Sequence, residues 1–437
     1  MKLKQLIIAT WLIAATLPAA VAQETGAGKE VITIPKEQYQ KLLDDQQKLI
    51  EQMKEMQAFK ARFEESQKKS TTQQTETDQA LDDLDKQVKS VKQMAKDAYP
   101  GTSKFLLTGY GSAGFIAPDR GGTKQFNASF NPIFLWKLSD RLLFEGELEA
   151  QLEGHDTHTA LEIAQISYLL NDYVTLGAGK FLNPMNYFVE RQHMNWVNKL
   201  PDKLLAVYDG LLSEANVGFQ IRGAIPAGPT KFGYAFYVAN APELNVDPST
   251  DVGTLEHNNF DNLGNHVAVG GRVGFFPIPE LELGYGFQFS DVTPPGSAAS
   301  VNSLLQSVDL SYVRESARLK GVVNLKAQWV WSHVDQFIYD PADMPFNNHR
   351  DGGYVQLAYR PTRLENAYLK NLEPVFRYDR LSQARTPTEV NEQRYTLGLN
   401  YWLSPSSVFK MAYEWDSQSG LGAEPHNAWL MQFVAGF

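Results

Sequence analysis

Three carboxylates stand two residues apart in LLFEGELEAQLE, at Glu145, Glu147 and Glu149, and alternate with Leu142, Phe144, Gly146, Leu148, Ala150 and Leu152. In a strand, residues i and i+2 share a face, so the acids point one way and the apolar residues the other. A ladder of like charges contains no nucleophile and no orienting partner, so its chemistry is electrostatic: it sorts charged solutes rather than breaking bonds. A second concentration of charge lies between Asn183 and Asn216, where Glu190, Arg191, His193, Asp202, Lys203, Asp209 and Glu214 are interspersed with the aromatic anchors Trp196 and Tyr208. His155-Asp156-Thr157-His158 is the one start toward a catalytic or metal site, and it falls in a predicted polar loop where two histidines are most simply solvated. The chain has no cysteine, which excludes a thiol nucleophile, a thiolate metal site and a disulfide framework. No catalytic residue, metal or cofactor is expected.

The elements that must position these charges form a long series of alternating segments. Sixteen strands are predicted, starting near Phe105, Lys124, Leu142, Ala160, Tyr173, Val217, Phe232, His266, Leu281, Leu305, Lys320, Tyr354, Leu372, Gln393, Val408 and Asn427. The connections between them alternate over most of the chain, with two exceptions: the twelfth, Pro361 to Asn371, is longish, and the first, Pro118 to Thr123, is short. Ser139-Asp140, Asn171-Asp172, Pro226 to Thr230, Pro277 to Glu280 and Leu403 to Ser407 are short, whereas Asn183 to Asn216, Asn240 to Asn265, Asp291 to Ser303 and Gln336 to Gly353 are long. Short turns on one side and long loops on the other, with one apolar face per strand, are what an antiparallel transmembrane barrel requires. The last strand, NAWLMQFVAGF, is long enough to cross a bilayer when tilted. Closure leaves no strand edge unpaired in lipid. The acids of the third strand then line a water-filled bore, and Arg222, Arg272, Lys326, Arg360, Arg377 and Arg394 are placed on the inward face of later strands. With strand three opposite strand eleven, a wall of acids faces a wall of bases, and the long loop after strand five is placed to narrow the bore.

Residues 1–22 have Lys2 and Lys4, an apolar run and Ala20-Val21-Ala22, the pattern of a cleaved export signal. Residues 23–100 are of another kind, with apolar residues such as Leu42, Leu49, Met53 and Met56, then Leu81, Leu84, Val88 and Val91, at heptad spacing; a helical coiled coil is expected there. Residues 101–437 then form the barrel. A formal net charge of −10 argues against a nucleic-acid partner. Two other readings of the whole are a tether to the cell wall through the coiled coil and a barrel enzyme.

VTLGAGKFLNPMNYF, Val174 to Phe188, is similar to the strand that leads into the third loop of the phosphate-selective type of Gram-negative outer-membrane porin, and the terminal Phe437 resembles the closing residue of outer-membrane barrels. The leading coiled coil resembles relatives that carry dicarboxylates or other small anions. The resemblance implies passive diffusion of small hydrophilic solutes, a homotrimer in outer-membrane lipid with the coiled coil in the periplasm, and a third loop inside each barrel. From Lys104 onward acids outnumber bases, unlike the basic ladder a phosphate selector needs, so the implied pore is carried over without its anion.

Overall fold

The computed structural model describes residues 104–437, apart from 121, 154–155, 208–210, 247–251, 258–264, 295–296, 298, 338–347, 383–390 and 420–425. The expected export signal and coiled coil lie outside the described residues. In chain order the first strands are β1 (Phe105–Pro118), β2 (Gln125–Lys137), β3 (Leu142–Glu153), β4 (Asp156–Asn171), β5 (Val174–Leu182), β6 (Ala215–Ala227) and β7 (Thr230–Asn240). A two-stranded sheet, β8 (Glu243–Leu244) with β9 (Leu255–Glu256), occupies the following loop. The series resumes with β10 (Val267–Ile278), β11 (Leu281–Val292), β12 (Val301–Ser316), β13 (Gly321–Val334), β14 (Asn348–Arg360), β15 (Leu372–Ser382), β16 (Asn391–Ser404), β17 (Ser407–Ser419) and β18 (Ala428–Gly436).

Sixteen of these strands, all but β8 and β9, close into one antiparallel barrel in which each pairs with its chain neighbours and β18 returns to β1. The seam runs in register from Tyr110↔Gly436 to Pro118↔Ala428. Beyond it, Phe437 donates its N–H to the Gly109 carbonyl at 3.0 Å, accepts from Thr108 Oγ1 at 2.6 Å, and stacks on Phe130.

Alternation inverts the pattern of a water-soluble protein. On β16, Leu397 is 51% exposed while its neighbour Thr396 is 0% exposed, and on β18 Trp429, Met431 and Phe433 are exposed while Ala428, Leu430 and Val434 are buried. Large apolar side chains face out, while the inward face carries most of the buried polar and charged side chains, with apolar residues such as Leu430 and Val434 among them.

Every predicted strand is present, with one difference of detail. The polar loop expected around His155-Asp156-Thr157-His158 contracts, because β4 already begins at Asp156; Thr157 and His158 are therefore ladder residues, paired with Leu152 and Gln151. His155 lies outside the described residues. The longish twelfth connection, after β14, contains a 3-10 turn, Leu369–Asn371, as its last residues before β15.

Candidate functional site

After β5 the chain leaves the ladder for thirty-odd residues and rejoins it at β6. Asn183 pins the two ends of this excursion together: its Nδ2 donates to Ser213 Oγ at 2.9 Å, and its backbone N–H to the Glu214 carbonyl at 2.9 Å. One turn and a half of helix follows, α1 (Tyr187–Gln192), whose first turn is capped by Asn186 Oδ1 accepting from Val189 N–H at 3.2 Å.

From α1 onward the side chains reach wall after wall. Phe188 N–H donates to Gln328 on β13, Gln192 Nε2 donates to the Tyr354 hydroxyl on β14, and Glu190 accepts from Arg222 on β6 at 2.6 Å. Tyr187 accepts from Lys326 Nζ at 3.2 Å and lies beneath the Arg272 guanidinium of β10. Asn195 Nδ2 meets Ser112 and Ser129 on β1 and β2, and its carbonyl accepts from Lys410 on β17. Lys199 Nζ donates to Glu373 on β15 at 2.8 Å, while Asp202 pairs with Arg394 on β16. A segment that touches inward side chains on so many strands of a closed barrel runs through the bore.

Apolar packing fixes this course. Met185, Phe188, Val189, Leu204 and Val207 are buried with Leu305, Val330 and Tyr354 of the wall, and Leu200 with Ala358, Val375, Ala412 and Leu430. Trp196 packs against Val408, Val434 and Trp402.

The acidic ladder is on the inner face of β3, but its members differ. Glu147 is 0% exposed, accepts from the Tyr110 hydroxyl at 3.2 Å and lies 3.4 Å from His193 Nε2. Glu145 accepts from Gln165 Nε2 at 2.8 Å, and Glu149 is half-buried opposite Ala160. A bulge passes the register from Glu147↔Ile163 to Leu148↔Leu161, so Glu162 is an extra residue beside the acids that periodicity alone did not single out.

The predicted basic residues also lie on the inner face, but they do not form a free positive wall. Arg272 makes a two-point pair with Asp309 at 2.6 and 2.8 Å and another with Glu282 at 2.9 Å. Arg377, fully buried, pairs with Asp379 at 2.7 Å and lies 3.9 Å from Glu414. Arg394 meets Asp416 and Glu392, each at 3.0 Å, besides Asp202. Buried charges persist only when paired, and here the partners sit on the same strand, on the next strand or the one beyond it, or, for Asp202, on the loop. Lys326 donates to Ser311 Oγ at 2.6 Å, and Arg360 bonds Lys370 O and Asn371 Oδ1 at the short-turn end. Within the loop, Arg191 sits 3.2 Å from Glu190, which it shares with Arg222; Lys203 is exposed; Asp209 lies outside the described residues. Among the described residues no group of three or more His, Asp or Glu side chains is arranged to hold a metal.

His193 is the loop's titratable tie. Burial alone would lower its pKa, but the hydrogen bond and charge of Glu147, the Val189 carbonyl at 2.7 Å and the charge of Glu162 outweigh that, and the pKa is raised above 6.5. A raised folded-state value means that the tie contributes fully below pH 6.5 and is lost as pH rises through the raised pKa. His193→Gln is therefore expected to lower the unfolding temperature most in mildly acidic buffer. The gap from the unsubstituted protein should narrow with increasing pH, and a gap independent of pH would contradict this.

No family model matches the chain, and no curated protein matches it. Among solved structures it is similar to the outer membrane channel DcaP of Acinetobacter baumannii, at 10% identity over 76% of this chain and 97% of that one, with a TM-score of 0.50. It is also similar to an anion-selective porin from Comamonas acidovorans, at 12% identity over 76% of this chain and 99% of that one, with a TM-score of 0.48. OprB of Pseudomonas putida shares 9% identity over 76% of this chain and 93% of that one, with a TM-score of 0.47. At 10% identity the likeness to DcaP establishes the fold.

Proposed function

We propose that the protein is an outer-membrane porin through which small hydrophilic, charged solutes diffuse passively, with the loop between β5 and β6 as its constriction. One observation carries this reading: in a closed barrel with an apolar exterior, the loop between β5 and β6 bonds to polar side chains on the inner faces of facing walls. Arg272, Arg377 and Arg394 are buried in their ion pairs, whereas Arg191 and Arg222 share Glu190 with side chains 45% and 38% exposed, so these two and the acids Glu145 and Glu149 are the charges assigned to meet a solute beside the loop. Opposed charges of this kind orient a dipolar solute as it passes. A homotrimer in outer-membrane lipid, an exported chain and a periplasmic coiled coil complete the proposal, in keeping with the resemblance to porins of the phosphate-selective type. The anion of that type is not part of it.

The test is conductance and reversal potential of the purified protein in a planar bilayer under a salt gradient. Steps in groups of three with a definite ion preference are expected, whereas silence from a correctly folded, inserted protein would mean a plugged barrel. Glu145→Gln with Glu149→Gln is expected to move the reversal potential toward anions. Glu147 is left out of this variant because it holds His193. An unmoved potential in the folded double variant would remove these acids from the solute path.

A further inference from the structure

We infer that His333 and His349 form a two-imidazole binding site for a divalent transition-metal ion, outside the bore and on the outward face of the barrel at its long-loop end. The two residues are directly opposed in the β13–β14 register, one rung from the last. Their neighbours Ser332, Val334, Asn348 and Arg350 are buried toward the interior, so alternation turns both imidazoles outward, and the His333 side chain is 47% exposed. Directly opposed residues hold their Cβ atoms about 5 Å apart, and here the ring centroids are 4.0 Å apart and tilted by 56°. Two imidazole nitrogens bound to one ion lie about 3 Å from each other, a separation that rings this close reach by side-chain rotation.

A carboxylate stands where such a site needs one. Asp335 Oδ1 lies 3.4 Å from His333 Nε2, and Asn302 Nδ2 holds the other oxygen, Oδ2, at 2.9 Å. With Nε2–H directed at the carboxylate, the lone pair of His333 is on Nδ1, the arrangement by which an outer carboxylate fixes the tautomer of a metal-bound histidine. Two ligands do not make a complete coordination shell, so water fills the other positions. Imidazole selects copper, nickel and zinc over magnesium or calcium, with Cu²⁺ the strongest. The site is independent of any solute pathway, since none of its residues faces the bore.

The experiment uses the full-length protein without an affinity tag, in detergent, titrated with Cu²⁺ and followed by calorimetry and electron paramagnetic resonance. One Cu²⁺ per chain with hyperfine structure from two nitrogens is expected. His333→Asn or His349→Asn should each weaken binding at least tenfold, and Asp335→Ala, acting as a positioning residue, by about tenfold. Both histidines are exposed, so the variants are expected to keep the heat-modifiable mobility of the folded barrel, and only variants that do are compared. Binding and spectrum unchanged in the His333→Asn/His349→Asn double variant would overturn the assignment, as would displacement of Cu²⁺ by equimolar Mg²⁺.

Discussion

Gly436→Ala is expected to destabilise the barrel by about 1–3 kcal/mol, although it adds one methyl group at the penultimate residue. Gly436 is on the inward face of β18, and a Cβ there would overlap the Cε3–Cζ3 edge of the six-membered ring of Trp196. The clash cannot be relieved outward, because Trp196 is wedged between Tyr110, at 6.2 Å between ring centroids, and the Val408–Val434–Trp402 cluster. Removing the ring, Trp196→Ala, should itself cost about 3 kcal/mol. The informative variant is the double one: with the indole gone the added methyl has room, so Gly436→Ala/Trp196→Ala should be no less stable than Trp196→Ala alone. The check is the temperature at which each folded barrel loses its heat-modifiable mobility. Strictly additive losses would mean that the two residues do not compete for one space.

Arg377→Met is expected to cost about 3–5 kcal/mol, the usual penalty for stranding one side of a buried ion pair. The guanidinium is fully buried, donates to Asp379 and to the carbonyl of Asp202 at 3.3 Å, and is the nearest cation to Asp379. Its loss leaves a carboxylate without a partner and frees one of the loop's attachments to β15, so the variant should also show noisier and larger conductance steps. Combining it with Asp379→Asn should recover much of the stability, since the stranded charge is then gone. If Arg377→Met unfolds at the unsubstituted temperature, the cluster is solvated and holds nothing in place.

The barrel was legible because each strand states its own two faces: Leu281, Leu283, Tyr285 and Phe287 need only a period of two to be placed. Strand β4 was started late because its first residues, Asp156 to Thr159, are polar on both faces, and pairing with β3 rather than patterning carries the ladder that far. The loop's charges were visible, but not what they meet. His193 and Glu147 are 46 residues apart and Lys199 and Glu373 are 174 apart, and no local pattern couples such pairs. The same holds for Arg272 with Asp309, which depends on the register across β10, β11 and β12. Part of the neutralisation was open to inspection: Arg377 and Asp379, like Glu414 and Asp416, are two apart on one strand and must share a face. Counting inward bases without inward acids beside them produced the expected positive wall.

The seat of Trp196 has a bearing on the order of events during assembly. It is built from Tyr110 of the first strand and Val434 and Gly436 of the last, while Asn195 beside it rests on Ser112 and Ser129. A half-made barrel has no such seat, because its two walls are the first and last strands of the barrel. The indole of Trp196 therefore finds its full set of neighbours only once β18 has paired with β1.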